Sequence, residues 1–144
     1  MRLPGLMAEH GLSILIETPE ARLLFDTGQG QVLAANAERL GCSLERLDAI
    51  VLSHGHYDHT GGLAEVLKLP GEPAVYVHPL ALQPKYTISS AGRARRIGIP
   101  QHCLDRLEKL GARLVLTRSP VEVAPGVWLT GEIPRSNSFE DTGG

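Results

Sequence analysis

Apolar residues along the chain fall into short runs divided by turn residues, not into long helical stripes. Residues 12–17, Leu-Ser-Ile-Leu-Ile-Glu, and 22–25, Arg-Leu-Leu-Phe, are two such runs. The link between them, Thr18-Pro19-Glu20-Ala21, predicts a β-hairpin, because proline presets one turn dihedral. Residues 48–52 end in Ile50-Val51-Leu52, an apolar, β-branched run that reads as a buried strand. Strands are also expected at 74–77 and 113–117, and a second hairpin at 121–123 and 127–130 across Ala124-Pro125-Gly126. Helical spacing appears at 31–40, where Val32, Leu33, Ala37 and Leu40 share a face before Gly41. It recurs at 63–69, ended by Pro70-Gly71, and at 101–110, where Leu104, Leu107 and Leu110 form one stripe before Gly111. Residues 79–100 carry little periodicity. Strands alternating with helices predict an α/β fold.

The 144 residues are enough for one domain with a real core. Fourteen basic against sixteen acidic residues leave a net charge of −2, which gives no reason to expect a nucleic acid or an anionic membrane as partner. No apolar run approaches the ~18 residues of a membrane span, and Met1 to Gly5 is too short and broken for a signal peptide. Cys42 and Cys103 are isolated, with no C-x-x-C spacing, so they are expected as free thiols in a reducing cytoplasm.

The candidate chemistry sits just after Leu52. Three of the six histidines and one aspartate, His54, His56, Asp58 and His59, occupy six consecutive positions. A strand end is a rigid platform from which a loop reaches a cleft. His54 and His56 are two apart, so in an extended segment they project to the same side. Gly55 between them lets the backbone bend without a Cβ clash. Asp58 and His59 follow a bend and can address a second position beside the first. Imidazole with carboxylate suits zinc, iron or manganese. Thr60-Gly61-Gly62 is expected to open the helix 63–69 with its N-terminus toward the site, which favours anions there. Asp26, at the end of the second strand, is either a turn-capping carboxylate or the acceptor of a ring N–H from a ligand histidine. His78 ends the strand 74–77, where it is either a substrate contact or a hydrogen-bonded structural residue. Lys85, Arg93, Arg95 and Arg96 form either a solvated face or a mobile flap whose cations meet an anionic substrate.

Ser53-His54-Gly55-His56-Tyr57-Asp58-His59-Thr60-Gly61-Gly62 resembles the metal-binding signature of the metallo-β-lactamase superfamily. Glu9-His10-Gly11-Leu12-Ser13, Phe25-Asp26-Thr27-Gly28 and Thr130-Gly131-Glu132-Ile133-Pro134-Arg135 resemble the dihydropterin-(ribofuranosyl)aminobenzene phosphate synthase-like branch of it. The resemblance implies an α/β/β/α sandwich, of which this chain supplies largely the N-terminal half as a partial domain at 1–135, followed by a flexible tail at 136–144. It implies that Asp26 orients a ligand histidine. It also implies a phosphate- or pterin-containing small-molecule substrate, with Lys85 among the flap cations that meet it and Arg135 as a further contact.

The family pattern continues with a further histidine, a bridging aspartate and a final histidine. Past His59 this chain has only His78 and His102, neither in a matching context. Two ligands per metal position predict one or two ions, zinc or else manganese or iron, held at low occupancy. An uncovered sheet face predicts a homo-oligomer or a complementing second-half chain. Two functional readings follow. One is a metal-dependent hydrolase or transferase that activates water, with Asp58 accepting or relaying a proton. The other is a catalytically inactive half-domain that binds metal or a partner chain.

Overall fold

The computed structural model describes residues 5–134, 136, 137 and 139. Arg135 and most of the tail at 136–144, both named above, lie outside the described residues.

Five strands form the main sheet: β1 (Ile14–Glu17), β2 (Arg22–Phe25), β3 (Ala49–Val51), β4 (Ala74–Val77) and, later in the chain, a strand at Leu114–Leu116, in the order first, second, third, fourth, last. β1 and β2 are antiparallel, with Leu15 opposite Leu24; the other neighbours are parallel. The hairpin turn closes as its residues dictate. The Thr18 N–H donates to the Ala21 carbonyl at 2.9 Å, and the Thr18 hydroxyl accepts the Ala21 N–H at 2.9 Å.

The register gives the sheet two different faces. Leu15, Leu24, Ile50, Val75 and Leu114 lie in one row across all five strands. This face is covered by helices α1 (Leu33–Leu40), α3 (Leu63–Val66) and α4 (Gln101–Leu107), whose Ala37, Leu63, Val66, Cys103 and Leu107 join the same buried cluster. On the opposite face Ile14, Phe25, Val51 and Tyr76 form the corresponding row. Its cover is thin: Ile14 is 45% exposed, and a groove of about 290 Å³ runs between Phe25, Val51 and Tyr76 on one side and Leu129 and Ile133 on the other.

Some boundaries differ from expectation for identifiable reasons. α1 begins at Leu33 because the Glu9 carboxylate takes the N–H groups of Gln29, Gly30 and Gln31 at 3.0–3.3 Å, holding that segment in a loop. The loop after His56 is not loop throughout: Tyr57–Thr60 is a one-turn helix, α2, which carries Asp58 and His59. α3 follows it after Gly61 and Gly62, and Gly62 lies against the Thr27 carbonyl and Gly30. The stretch 79–100 is ordered as a 3₁₀ turn (Pro79–Leu82) and a hairpin of β5 (Tyr86–Ile88) with β6 (Ala94–Arg96). After α4 the chain makes a kinked turn at Gly111 into the last main-sheet strand, β7 (Leu114–Leu116). β8 (Val121–Ala124) and β9 (Val127–Leu129) form the expected final hairpin.

Candidate metal centre

Parallel strands β2 and β3 end side by side, with Phe25 opposite Val51, so Asp26 and Ser53 leave the sheet together. Asp26 is wholly buried and has φ 58°, in the left-handed region that a non-glycine residue rarely adopts. Such strain persists only where surrounding contacts over-determine it. Here the Asp26 N–H donates to the Val51 carbonyl at 2.8 Å and its own carbonyl accepts the Ser13 hydroxyl at 2.9 Å.

The carboxylate is fully used. Oδ1 accepts the Ser53 N–H at 2.8 Å; Oδ2 accepts the Ser53 hydroxyl at 2.6 Å and the His59 Nδ1–H at 2.7 Å. Since an ionised carboxylate only accepts, the His59 proton lies on Nδ1 and Nε2 is left as a lone-pair donor. The same logic runs through Ser53. Its hydroxyl proton is committed to Asp26, so at 2.9 Å its oxygen accepts from His54 Nδ1, which leaves His54 Nε2 as a lone-pair donor too. Asp26 thus sets the tautomer of two imidazoles, one directly and one through a hydroxyl. A hydrogen bond from a histidine ring of the loop is the contact expected of Asp26; nothing in the sequence singles out Ser53 as the relay.

The donor atoms meet in pairs. His54 Nε2 lies 3.0 Å from His56 Nδ1, and His59 Nε2 lies 3.7 Å from Asp58 Oδ2. Two ligand atoms on one tetrahedral zinc ion stand about 3.3 Å apart, given bonds of ~2.0–2.1 Å. These pairs therefore have the chemistry and spacing of cation ligands, two donors at each of two positions. Among the described residues, no group of three or more His, Cys, Asp or Glu side chains is arranged to hold a metal ion. The His54 ring is 4.6 Å from that of His56 and 4.2 Å from that of His59, centroid to centroid. Burial pushes the His54 pKa below the ordinary imidazole value; His59 and His56 push the same way, against Asp26 and Asp58. The neutral ring that results is the form that binds cations.

Backbone packing holds this loop in place. A Cβ on Gly55 would lie 2.0 Å from the Ala81 carbonyl oxygen, so Gly55 is required by close approach to the Pro79–Leu82 turn. Gly11, at φ 123°, passes equally close over the Asp58 carbonyl. The Thr27 N–H and hydroxyl both donate to the His59 carbonyl, at 2.7 and 3.1 Å.

The remaining candidates lie elsewhere. His78 Nδ1 accepts the Leu80 N–H at 3.2 Å, so its Nε2–H donates to Glu132 at 3.2 Å. Glu132 is also bonded by Arg118 at 2.9 Å, and the His78 and Arg118 hydrogen bonds hold its carboxyl below the usual range. Lys85 donates to the carbonyls of Leu80, Ala81 and Gln83 at 2.8–3.3 Å, and burial lowers its pKa. Its ammonium thus caps the turn that Gly55 packs against. His10, which the sequence does not single out as a site residue, reaches the rim, with Nε2 3.5 Å from Asp58 Oδ2 and the side chain 82% exposed. Only the Glu9-His10-Gly11 motif could have signalled it. Cys42 and Cys103 are free thiols; Cys103 is buried, which pushes its pKa up.

A layered α/β protein that carries His-x-His-x-Asp-His past the end of a parallel strand, with a buried aspartate behind it, defines the class. Residues 7–140 match the family model described as the metallo-beta-lactamase superfamily, and the chain belongs to that superfamily. It is 33% identical over 138 residues to 7,8-dihydropterin-6-methyl-4-(beta-D-ribofuranosyl)-aminobenzene-5'-phosphate synthase of Methanocaldococcus jannaschii, covering 88% of this chain and 45% of that protein. A second, uncharacterized protein of the same organism is 38% identical over 136 residues, covering 92% of this chain and 50% of that one. Among solved structures, the Rm3 metallo-beta-lactamase superposes with a TM-score of 0.52 at 28% identity, over 84% of this chain and 45% of that one. The chain spans about half the length of the curated relatives it matches.

Proposed function

We propose that the chain carries the metal-holding part of a metal-dependent hydrolase or transferase acting on a phosphate- or pterin-containing small molecule. The observation that carries this reading is the Asp26 carboxylate, buried without exposure and bonded to His59 and, through Ser53, to His54. A structural polar loop has no need of an arrangement that turns two imidazole Nε2 atoms, each without its proton, toward His56 and Asp58. His54 and His56 would hold one ion, Asp58 and His59 the other; zinc suits the donors, as do manganese and iron. A bound cation of this kind lowers the pKa of water and polarises the bond under attack. The chain's own contribution is positional: Asp26 and Ser53 fix the rings, and Asp58 at the cleft rim accepts or passes on a proton. Similarity to the archaeal synthase supports the substrate class.

The test is hydrolysis of bis(p-nitrophenyl) phosphate by the purified chain with added zinc or manganese. The reading expects activity that is removed by chelation and by His56→Ala. Metal uptake without turnover for any phosphate ester would instead favour an inactive half-domain that binds metal or a partner chain. The two-donor pairs favour that second reading. The thinly covered sheet face supports a partner under either reading, a second copy or a complementing chain. No helix among the described residues is long and apolar enough to cross a membrane. The two free thiols accord with placement in the cytoplasm.

A further inference from the structure

The β5–β6 hairpin is bound to the metal loop by its backbone. His56 forms an isolated antiparallel bridge with Gly98, and the Tyr57 N–H donates to the Ile97 carbonyl at 3.0 Å. At the base of the hairpin, the Ile97 N–H donates to Lys85 at 2.8 Å. These bonds fix where the β6 side chains fall. Thr87 and Arg95 are directly paired across the hairpin, so they share one of its faces. Both line a cleft of about 240 Å³ together with His56, Asp58 and His10. Arg96, next along β6 and so on the other face, is engaged elsewhere, with the Ile99 carbonyl at 3.2 Å and Gln101 at 3.4 Å. Arg95 has no carboxylate and no hydrogen-bond partner among the described residues; its guanidinium stands over the Tyr57 ring, 6.0 Å from the centroid.

We propose that Arg95, seated on Tyr57 and paired with Thr87, is an anion subsite that grips the non-reacting phosphate oxygens of a substrate beside His56 and Asp58. The proposal rests on the metal-centre reading given above and adds to it the residue that recognises the substrate. The planar guanidinium presents two parallel N–H donors, a match for two oxygens of one phosphate, and the Thr87 hydroxyl supplies a third donor. The aromatic face under Arg95 limits its rotamers without neutralising it. Asp58 is the one carboxylate lining the cleft among the described residues, and a cation held beside it would offset its repulsion of an anion.

The experiment measures binding of inorganic phosphate to the zinc-loaded chain by phosphorus NMR titration, together with zinc content. Arg95→Ala is expected to weaken phosphate binding by about ten- to a hundredfold, the loss of charge-assisted hydrogen bonds, with zinc content unchanged. Arg95→Lys should fall between the two, since it keeps charge but loses the fork. Arg93→Ala, which removes the same charge from the hairpin tip, should leave binding as in the wild type. Equal affinity in wild type and Arg95→Ala overturns the subsite, as does an equal loss in Arg93→Ala. A chain that takes up no zinc refutes the metal-centre reading instead. The same titration on the metal-free chain then decides the subsite, which stands only if Arg95→Ala still weakens binding.

Discussion

At the scale of single residues, two of the cluster's imidazoles depend on Asp26, one directly and one through Ser53. Asp26→Asn keeps the shape but turns one acceptor oxygen into an amide N–H donor. The amide then donates to His59 Nδ1 and to the Ser53 hydroxyl, which turns to donate to His54 Nδ1. Both rings would carry their proton on Nε2, the atom that must stay bare to bind a cation. The variant is expected to fold with a modest loss in thermal stability and to lose about 10–100-fold in metal affinity. Unchanged affinity would show that the tautomer relay has no functional part. The four cluster residues were legible because they are contiguous, and the aspartate was assigned by resemblance to a family pattern. Ser53, Glu9 and His10 were not legible as site residues. Their roles come from contacts made over separations of 20 to 48 residues, the range over which only the fold brings chain segments together: Asp26 with Ser53, Glu9 with Gln29–Gln31, and His10 with Asp58.

At the scale of elements, the metal loop is a clamp between the end of β3 and the Pro79–Leu82 turn. Gly55 is the point of contact, and a methyl there meets backbone instead of a flexible side chain. Gly55→Ala should cost about 1–3 kcal/mol of stability through overpacking and also lower metal affinity, because the histidines on either side must move with the loop. A variant as stable as the wild type in denaturant unfolding would contradict the close approach. β1 to β4, β7 and the final hairpin were readable, since each is a short apolar run bounded by turn residues. The β5–β6 hairpin was not. Tyr86–Ile88 and Ala94–Arg96 are exposed along their length, so no buried face leaves its alternation in the sequence. Their order comes from docking on His56 and Tyr57 instead. α2 escaped notice for a related reason: at four residues it is too short to show a period.

At the scale of the whole molecule, one face of the sheet is covered by helices and the other is left with a groove and exposed apolar side chains, Ile14 at 45% and Ile133 at 76% among them. Light scattering is expected to show a species heavier than the monomer, or a monomer that a complementing chain converts to one. A monomer unchanged at high concentration and by any such partner would remove that expectation. The candidate metal centre lies past the C-terminal ends of β2 and β3, beside this open face. The account stands or falls on whether that site takes a cation. Equilibrium dialysis against zinc measures this directly. One or two ions should bind saturably, and His54→Ala and His59→Ala should each lower affinity at least about tenfold. No saturable binding by the wild type, or binding that neither substitution alters, would contradict it.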